Sequence, residues 1–225
     1  EMLAQVSRAL SQAQLPQASD EIWAGFVRAF EFEPELEESL ISGTYRVDYG
    51  EFGDLAAYAH AVSHMTVAQT VARAGGPINV LPSSGELELD IRTLPGQSDD
   101  DVDRAITEAL GELAEHVTIE RLLSEQATAS SIDTKLYRAI EETLTQANPG
   151  AKVVPILFPG GSDLRVGRHK GGVGYGFGSC SSGATLGQVY SQLHAHDEHI
   201  AVEDVVSTVC ALDHLTRVFI YPENA

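Results

Sequence analysis

The segment Glu86 to Arg92 constrains the fold of this chain more than any other. Leu87, Leu89 and Ile91 alternate with Glu86, Glu88, Asp90 and Arg92, the two-residue period of a strand with one face on a core and the other in water. Upstream, Met65, Val67, Gln69 and Val71 alternate with Thr66, Ala68 and Thr70 and predict a second half-buried strand, closed off by Gly75-Gly76-Pro77. Downstream, Ser98 and Asp101 have the spacing of a capping pair, and Val102, Ile106, Leu110 and Leu113 continue at helical intervals. A further strand is expected near Val117 to Leu123. Strand, strand, helix and strand in this order predict an α+β layer, with helices on one face of an antiparallel sheet.

Around this layer the pattern is mostly helical. Leu3, Val6 and Leu10 line one side of an N-terminal helix, and Ile22, Trp23, Phe26, Val27 and Phe30 line a second that follows Asp20. The acidic run Glu31 to Glu38 contains Pro34 and reads as a loop leading into a short helix. Residues 124–131 carry few large apolar groups and are the expected domain boundary, which divides the chain into residues 1–126 and 127–225. Beyond it come a helix with Leu136, Ile140 and Leu144, a β-rich stretch from Val153 to Phe158, and a Gly160-Gly161-Ser162-Asp163 turn. A short helix and a glycine-rich strand at Val173 to Phe177 follow, and strands separated by helices predict an α/β portion. Residues 178–193 read as a loop, and a last helix over about 202–219 is expected to bury Val205, Val209, Leu212 and Phe219.

Charge narrows the function classes. Lysine and arginine total 14 against 33 acidic residues, a formal charge of −19, so nucleic acid and anionic membrane surfaces are excluded as partners by repulsion. The two cysteines, Cys180 and Cys210, make no C-x-x-C knuckle and read as reduced, packed thiols. No apolar run is long enough for a membrane span and no signal-peptide order opens the sequence, so the chain reads as soluble and cytoplasmic. Because it begins inside a helical pattern at Glu1, it is read as part of a longer protein.

Two late segments offer chemistry. His194, His196 and His199 fall within six positions and are interleaved with Asp197 and Glu198. That cluster is either a solvated turn or a source of one metal ligand, and His194 is the candidate because it opens the motif. The Gly160-Gly161-Ser162-Asp163 turn is either a plain strand-to-helix connection, capped by Ser162 or Asp163, or a place where backbone donors meet substrate oxygens. Asn79 braces a turn or reaches a ligand. Arg92 is either a surface charge or a bidentate clamp on a carboxylate. No Gly-x-Ser-x-Gly elbow, paired cysteine and histidine, or dinucleotide fingerprint is present.

Four motifs, taken in order, resemble the M20 family of metallopeptidases: Gly75-Gly76-x-x-Asn79-Val80-Leu81-Pro82, Glu88-Leu89-Asp90-Ile91-Arg92, Gly160-Gly161-Ser162-Asp163-x-Arg165, and His194-Ala195-His196-Asp197-Glu198. The resemblance implies an α/β catalytic portion with an α+β, ferredoxin-like lid that makes a homodimer, the lid lying in residues 1–126 without its first strand. It implies Zn²⁺, two ions per complete site, with His194 as the one ligand present. Asn79 and Arg92 are implied to bind substrate from the lid, and Gly161 and Ser162 to line the substrate turn. The implied activity is hydrolysis of amide or peptide bonds in dipeptides or N-acyl amino acids by zinc-activated water. The family's His-x-Asp motif, bridging aspartate and Glu-Glu pair have no counterpart in the sequence, so the general base is expected outside this chain, which by itself is expected to be inactive. The alternative is a fragment that dimerises or binds without turnover.

Overall fold

The clean alternation of Glu86–Arg92 becomes a strand because its partner has the same period. β1 (Thr66–Ala74) and β2 (Gly85–Arg92) pair antiparallel, with Val67 opposite Ile91 and Gln69 opposite Leu89. One extra residue between Gln69 and Val71 makes a bulge, after which Ala72 faces Leu87. The computed structural model describes residues 1–17, 20–44, 49–179 and 183–221. The chain forms two units, one of Glu1–Ala18 with Ala61–Thr128 and the other of Ser19–His60 with Ala129–Ala225.

In the first unit, α1 (Met2–Ser11) and α5 (Asp99–Leu110) lie on the apolar face of the hairpin. Val6, Leu10, Ile106 and Leu110 are buried, and Val67, Leu87, Leu89 and Ile91 pack against them. A one-residue slip of β2 would turn its leucines to water, so this layer of helices fixes the register. Gln69 donates to the Ser7 carbonyl at 2.8 Å and ties the strand to α1. On the opposite face Arg73 pairs with Glu86 and Glu88. The result is a mixed α+β unit with a two-stranded sheet among the described residues. The strand expected at 117–123 is not paired into it: Ile119, Leu122 and Leu123 are exposed, so the run gains neither an apolar face to bury nor ladder hydrogen bonds.

The predicted capping pair is present. Ser98 takes the Asp101 N–H, and the Asp101 carboxylate accepts the Ser98 N–H at 2.8 Å. That N–H, the Ser98 hydroxyl and Arg104 hold the Asp101 carboxyl below its usual range. Because its folded pKa is the lower one, the stability it contributes is present above the ordinary aspartate range and lost as pH falls through the depressed value. Ser98→Ala is expected to cost about 1 kcal/mol in denaturant unfolding.

In the second unit, α2 (Glu21–Arg28), α3 (Pro34–Ile41) and a 3₁₀ segment (Gly50–Leu55), kinked at Gly53, enclose an aromatic cluster; the segment runs into α4 (Ala56–Ser63), of which residues 56–60 belong to this unit. Phe26 and Phe52 stack at 5.5 Å, Phe30 meets Phe52 edge-on at 4.8 Å, and Trp23 lies within 6.3 Å of Phe26, Tyr49 and Phe52. Residues 19–60 group with 129–225, and the Tyr58 hydroxyl, bonded to the Leu157 carbonyl at 2.7 Å, is one of the ties between them.

The rest of the unit holds α6 (Lys135–Ala147), α7 (Leu164–His169), α8 (Leu186–Gln192) and α9 (Val202–Ile220). Four expectations differ from the structure. Residues 153–158 and 173–177 are unpaired segments rather than strands, and their α/β sheet is not formed among the described residues. Part of the expected loop is α8, whose start is set by a capping box between Thr185 and Gln188; residues 180–182 of that loop, with Cys180, lie outside the described residues. Finally, α9 buries Ala211 and Leu215, with Leu215 packed on Ala139 and Ile140 of α6, while Val205, Val209, Leu212 and Phe219 are exposed. The apolar stripe has the expected period but its buried side is one residue, or about 100°, away. Cys210, expected to be packed, is a free and exposed thiol. No described helix is long and apolar enough to cross a membrane.

Candidate functional site

The candidate residues fall in both units. In the first, Asn79 sits exposed in the turn between β1 and β2, which the Val80 N–H closes on the Pro77 carbonyl at 2.9 Å. Its neighbours Ile78 and Leu81 are almost fully solvent-exposed, so the tip of the hairpin presents apolar side chains to water. Arg92 is the last residue of β2. Its Nε and Nη2 grip both oxygens of Asp90 at 2.7 Å, two residues back on the same polar face. A ligand carboxylate would take the place that Asp90 holds.

In the second unit, Gly161 and Ser162 are exposed in the turn that enters α7. Space beside Gly161 is open, whereas a Cβ on Gly160 would lie 2.6 Å from the Phe158 ring, so the ring lies against the turn at Gly160. The Ser162 hydroxyl accepts the Leu164 N–H at 3.3 Å, and its carbonyl takes the Arg165 N–H at 3.1 Å. Asp163 occupies the N-cap position without a side-chain cap bond. The helix begins on backbone groups and the Ser162 hydroxyl, one of the two capping residues the sequence offered.

His194 follows the C-terminal end of α8 and is exposed, with φ +62°. A residue with a Cβ enters that left-handed region at a cost of about 1–2 kcal/mol, and such outliers gather at functional sites. His199 turns back on its own loop, its Nδ1 lying 2.7 Å from the Asp197 carbonyl oxygen. Among the described residues no three His, Cys, Asp or Glu side chains gather as a metal would require. A catalytic zinc takes three protein ligands and an open position, so the described residues alone do not fit one.

Sequence reasoning missed the side chains beneath these two loops. Tyr58 of α4 donates its hydroxyl to the Leu157 carbonyl at 2.7 Å, and Asp54 accepts the Thr185 hydroxyl at 2.7 Å. Burial, with Tyr190 nearby, pushes the Tyr58 hydroxyl well above its ordinary pKa, and the Thr185 hydroxyl holds the Asp54 carboxyl below its own. The Thr185-x-x-Gln188 spacing was legible as a helix start; the long-range bonds left no local signal.

A family profile described as a peptidase dimerisation domain, that of the M20 peptidases, matches residues 1–118. Over 107 residues, 47% of the chain, the sequence is 26% identical to a probable carboxypeptidase S-like 2 of Dictyostelium discoideum, of which the match covers 20%. A crystal structure of an M20 family metallo-carboxypeptidase from Sulfolobus solfataricus shares the fold at a TM-score of 0.58 and 16% identity, across 97% of this chain and 52% of that one. The chain thus spans about half the length of the solved relative, and its match spans a fifth of the curated one. A profile covering more than half of the residues and a fold shared along almost the whole sequence lead to one conclusion: the chain belongs to the M20 peptidase family, whose dimerisation domain it carries.

Proposed function

We propose that the protein is a metal-dependent hydrolase of amide or peptide bonds in small substrates, dipeptides or N-acyl amino acids, and that this chain supplies its dimerising lid and the C-terminal part of its catalytic portion. The observation that carries the reading is the dimerisation-domain match over residues 1–118, which takes in Asn79 and Arg92. In this reading the ferredoxin-like lid, through which the protein forms a homodimer, lies within residues 1–126, and residues 127–225 belong to the α/β catalytic portion. Asn79 and Arg92 reach the substrate, Gly161 and Ser162 line the turn beside it, and His194 is one ligand to Zn²⁺. The remaining ligands and the general base come from polypeptide outside this chain. The exposed apolar stripe of α9, with Val202, Val205, Val206 and Val209, supports a further layer of protein over that helix.

The test uses the full-length protein that carries this chain. Hydrolysis of N-acyl amino acids or dipeptides should be abolished by a chelator and restored by Zn²⁺. Failure of the zinc-loaded protein to hydrolyse either class would overturn the reading in favour of a non-catalytic dimerisation module, and hydrolysis indifferent to chelation would remove the metal from it. Arg92→Ala should lower kcat/KM by about tenfold to a hundredfold for substrates with a free carboxylate. Amidated substrates should be hydrolysed by wild type and variant alike.

A further inference from the structure

Residues 19–60 interrupt the first unit and belong to the second, and two of their side chains reach the loops that carry Gly161, Ser162 and His194. Tyr58 holds the Leu157 carbonyl, three residues before Gly160. Asp54 holds the hydroxyl of Thr185, the N-cap of α8, and α8 ends two residues before His194. Gly187 in the first turn of α8 lies flush on Asp54: an added Cβ would sit 2.5 Å from its Cβ and 2.6 Å from its carbonyl oxygen. A row of rings joins the two ties. Tyr190 of α8 lies 5.1 Å from Tyr58 and 6.4 Å from Phe158, and Phe158 is the ring folded over Gly160.

The aromatic cluster gives these ties a rigid base. Tyr58 is buried and meets Phe26 edge-on at 5.3 Å, and Asp54 stands two residues after buried Phe52, just past the backbone kink at Gly53. A body with its own packed core therefore contacts both loops within five residues of its sequence, from Asp54 to Tyr58. We infer that Asp54 and Tyr58 are positioning residues, which hold the Gly161–Ser162 turn and the His194 turn in fixed register to one another. The inference rests on the proposed function for its catalytic consequence, and on the bonds just described for its geometry. A group displaced by about 1 Å from a reacting centre can cost a hundredfold in rate, so loosening either tie should lower kcat before it raises KM.

Four variants of the full-length protein test this. Tyr58→Phe keeps the ring contacts and removes the bond to Leu157. Asp54→Ala removes the bond to Thr185, with Asp54→Asn as the conservative control. Gly187→Ala forces α8 off the Asp54 backbone. Hydrogen exchange of backbone amides should accelerate about threefold to tenfold, at residues 160–165 in Tyr58→Phe and at 186–195 in Asp54→Ala and Gly187→Ala. Exchange in α5 should be unchanged. For hydrolysis, kcat should fall about tenfold or more with KM nearly constant, and Asp54→Asn should recover most of the loss. Unchanged exchange in both loops, or an equal acceleration across the whole second unit, would overturn the positioning role. Accelerated exchange with kcat untouched would overturn its part in catalysis. If wild type hydrolyses nothing, the proposed function falls, while the exchange measurement still decides whether the two residues hold the loops.

Discussion

Replacing Trp23 with alanine is expected to destabilise the second unit by about 3–5 kcal/mol. The indole is 3% exposed and touches the rings of Phe26, Tyr49 and Phe52, so its removal leaves a cavity those rings cannot close without leaving their own contacts. Its Nε1–H also donates to the Leu40 carbonyl at 3.0 Å, in a buried setting where a lost partner is not replaced by water. Trp23→Phe separates the two effects, since it retains a ring and abandons only the Leu40 bond. That variant should lose about 1–3 kcal/mol. As Trp23 is the sole tryptophan, both variants lack the natural fluorophore, and unfolding is best followed by far-ultraviolet circular dichroism in denaturant. A loss below about 1 kcal/mol for Trp23→Ala would mean that the cluster is not the core of this unit.

His194→Ala in the full-length protein is expected to abolish hydrolysis and to weaken metal binding by at least about a hundredfold. Outer-shell partners of a metal already cost up to that much. The backbone at this residue supplies a control. At φ +62° any side chain is strained, and glycine relieves about 1–2 kcal/mol of that strain while adding about 0.5–1 kcal/mol of freedom to the unfolded chain. His194→Gly should therefore unfold at or slightly above the parent midpoint, whereas His194→Ala retains the strain. Both should lose hydrolysis and bound metal together. Activity retained in both would remove His194 from the site, and activity retained in the glycine variant alone would show that the turn matters and the imidazole does not.

The physical consequence of the strained turn differs from that of the ties below it. In the proposed site His194 acts through its imidazole alone, so its replacement should leave exchange at residues 160–165 untouched. Tyr58 and Asp54 supply no group to the substrate, and their replacement should leave metal binding largely intact. These opposite signatures allow site and support to be told apart in one set of variants.

Much of the local structure was legible in the sequence. The alternation of Leu87, Leu89 and Ile91 specified a strand and the face it would bury, and Ser98 with Asp101 specified the start of α5. The start of α8 was equally available in Thr185 and Gln188, but the glycine- and serine-rich surroundings masked it. Asn79, Arg92 and Gly161 were recognisable as motif residues, and the two-residue spacing already put Asp90 on the same face as Arg92, but the spacing did not announce that Phe158 covers Gly160.

What the sequence determined by itself were features written within four or five residues, since strand period and helix capping depend on neighbours the backbone already places. Only the tertiary structure decided which side of α9 met α6, why residues 117–123, 153–158 and 173–177 stayed unpaired, and where residues 19–60 were lodged. Each of those outcomes depends on a partner far along the chain. Burial and hydrogen bonding reward whichever surface is available there, and no spacing within a segment encodes that surface.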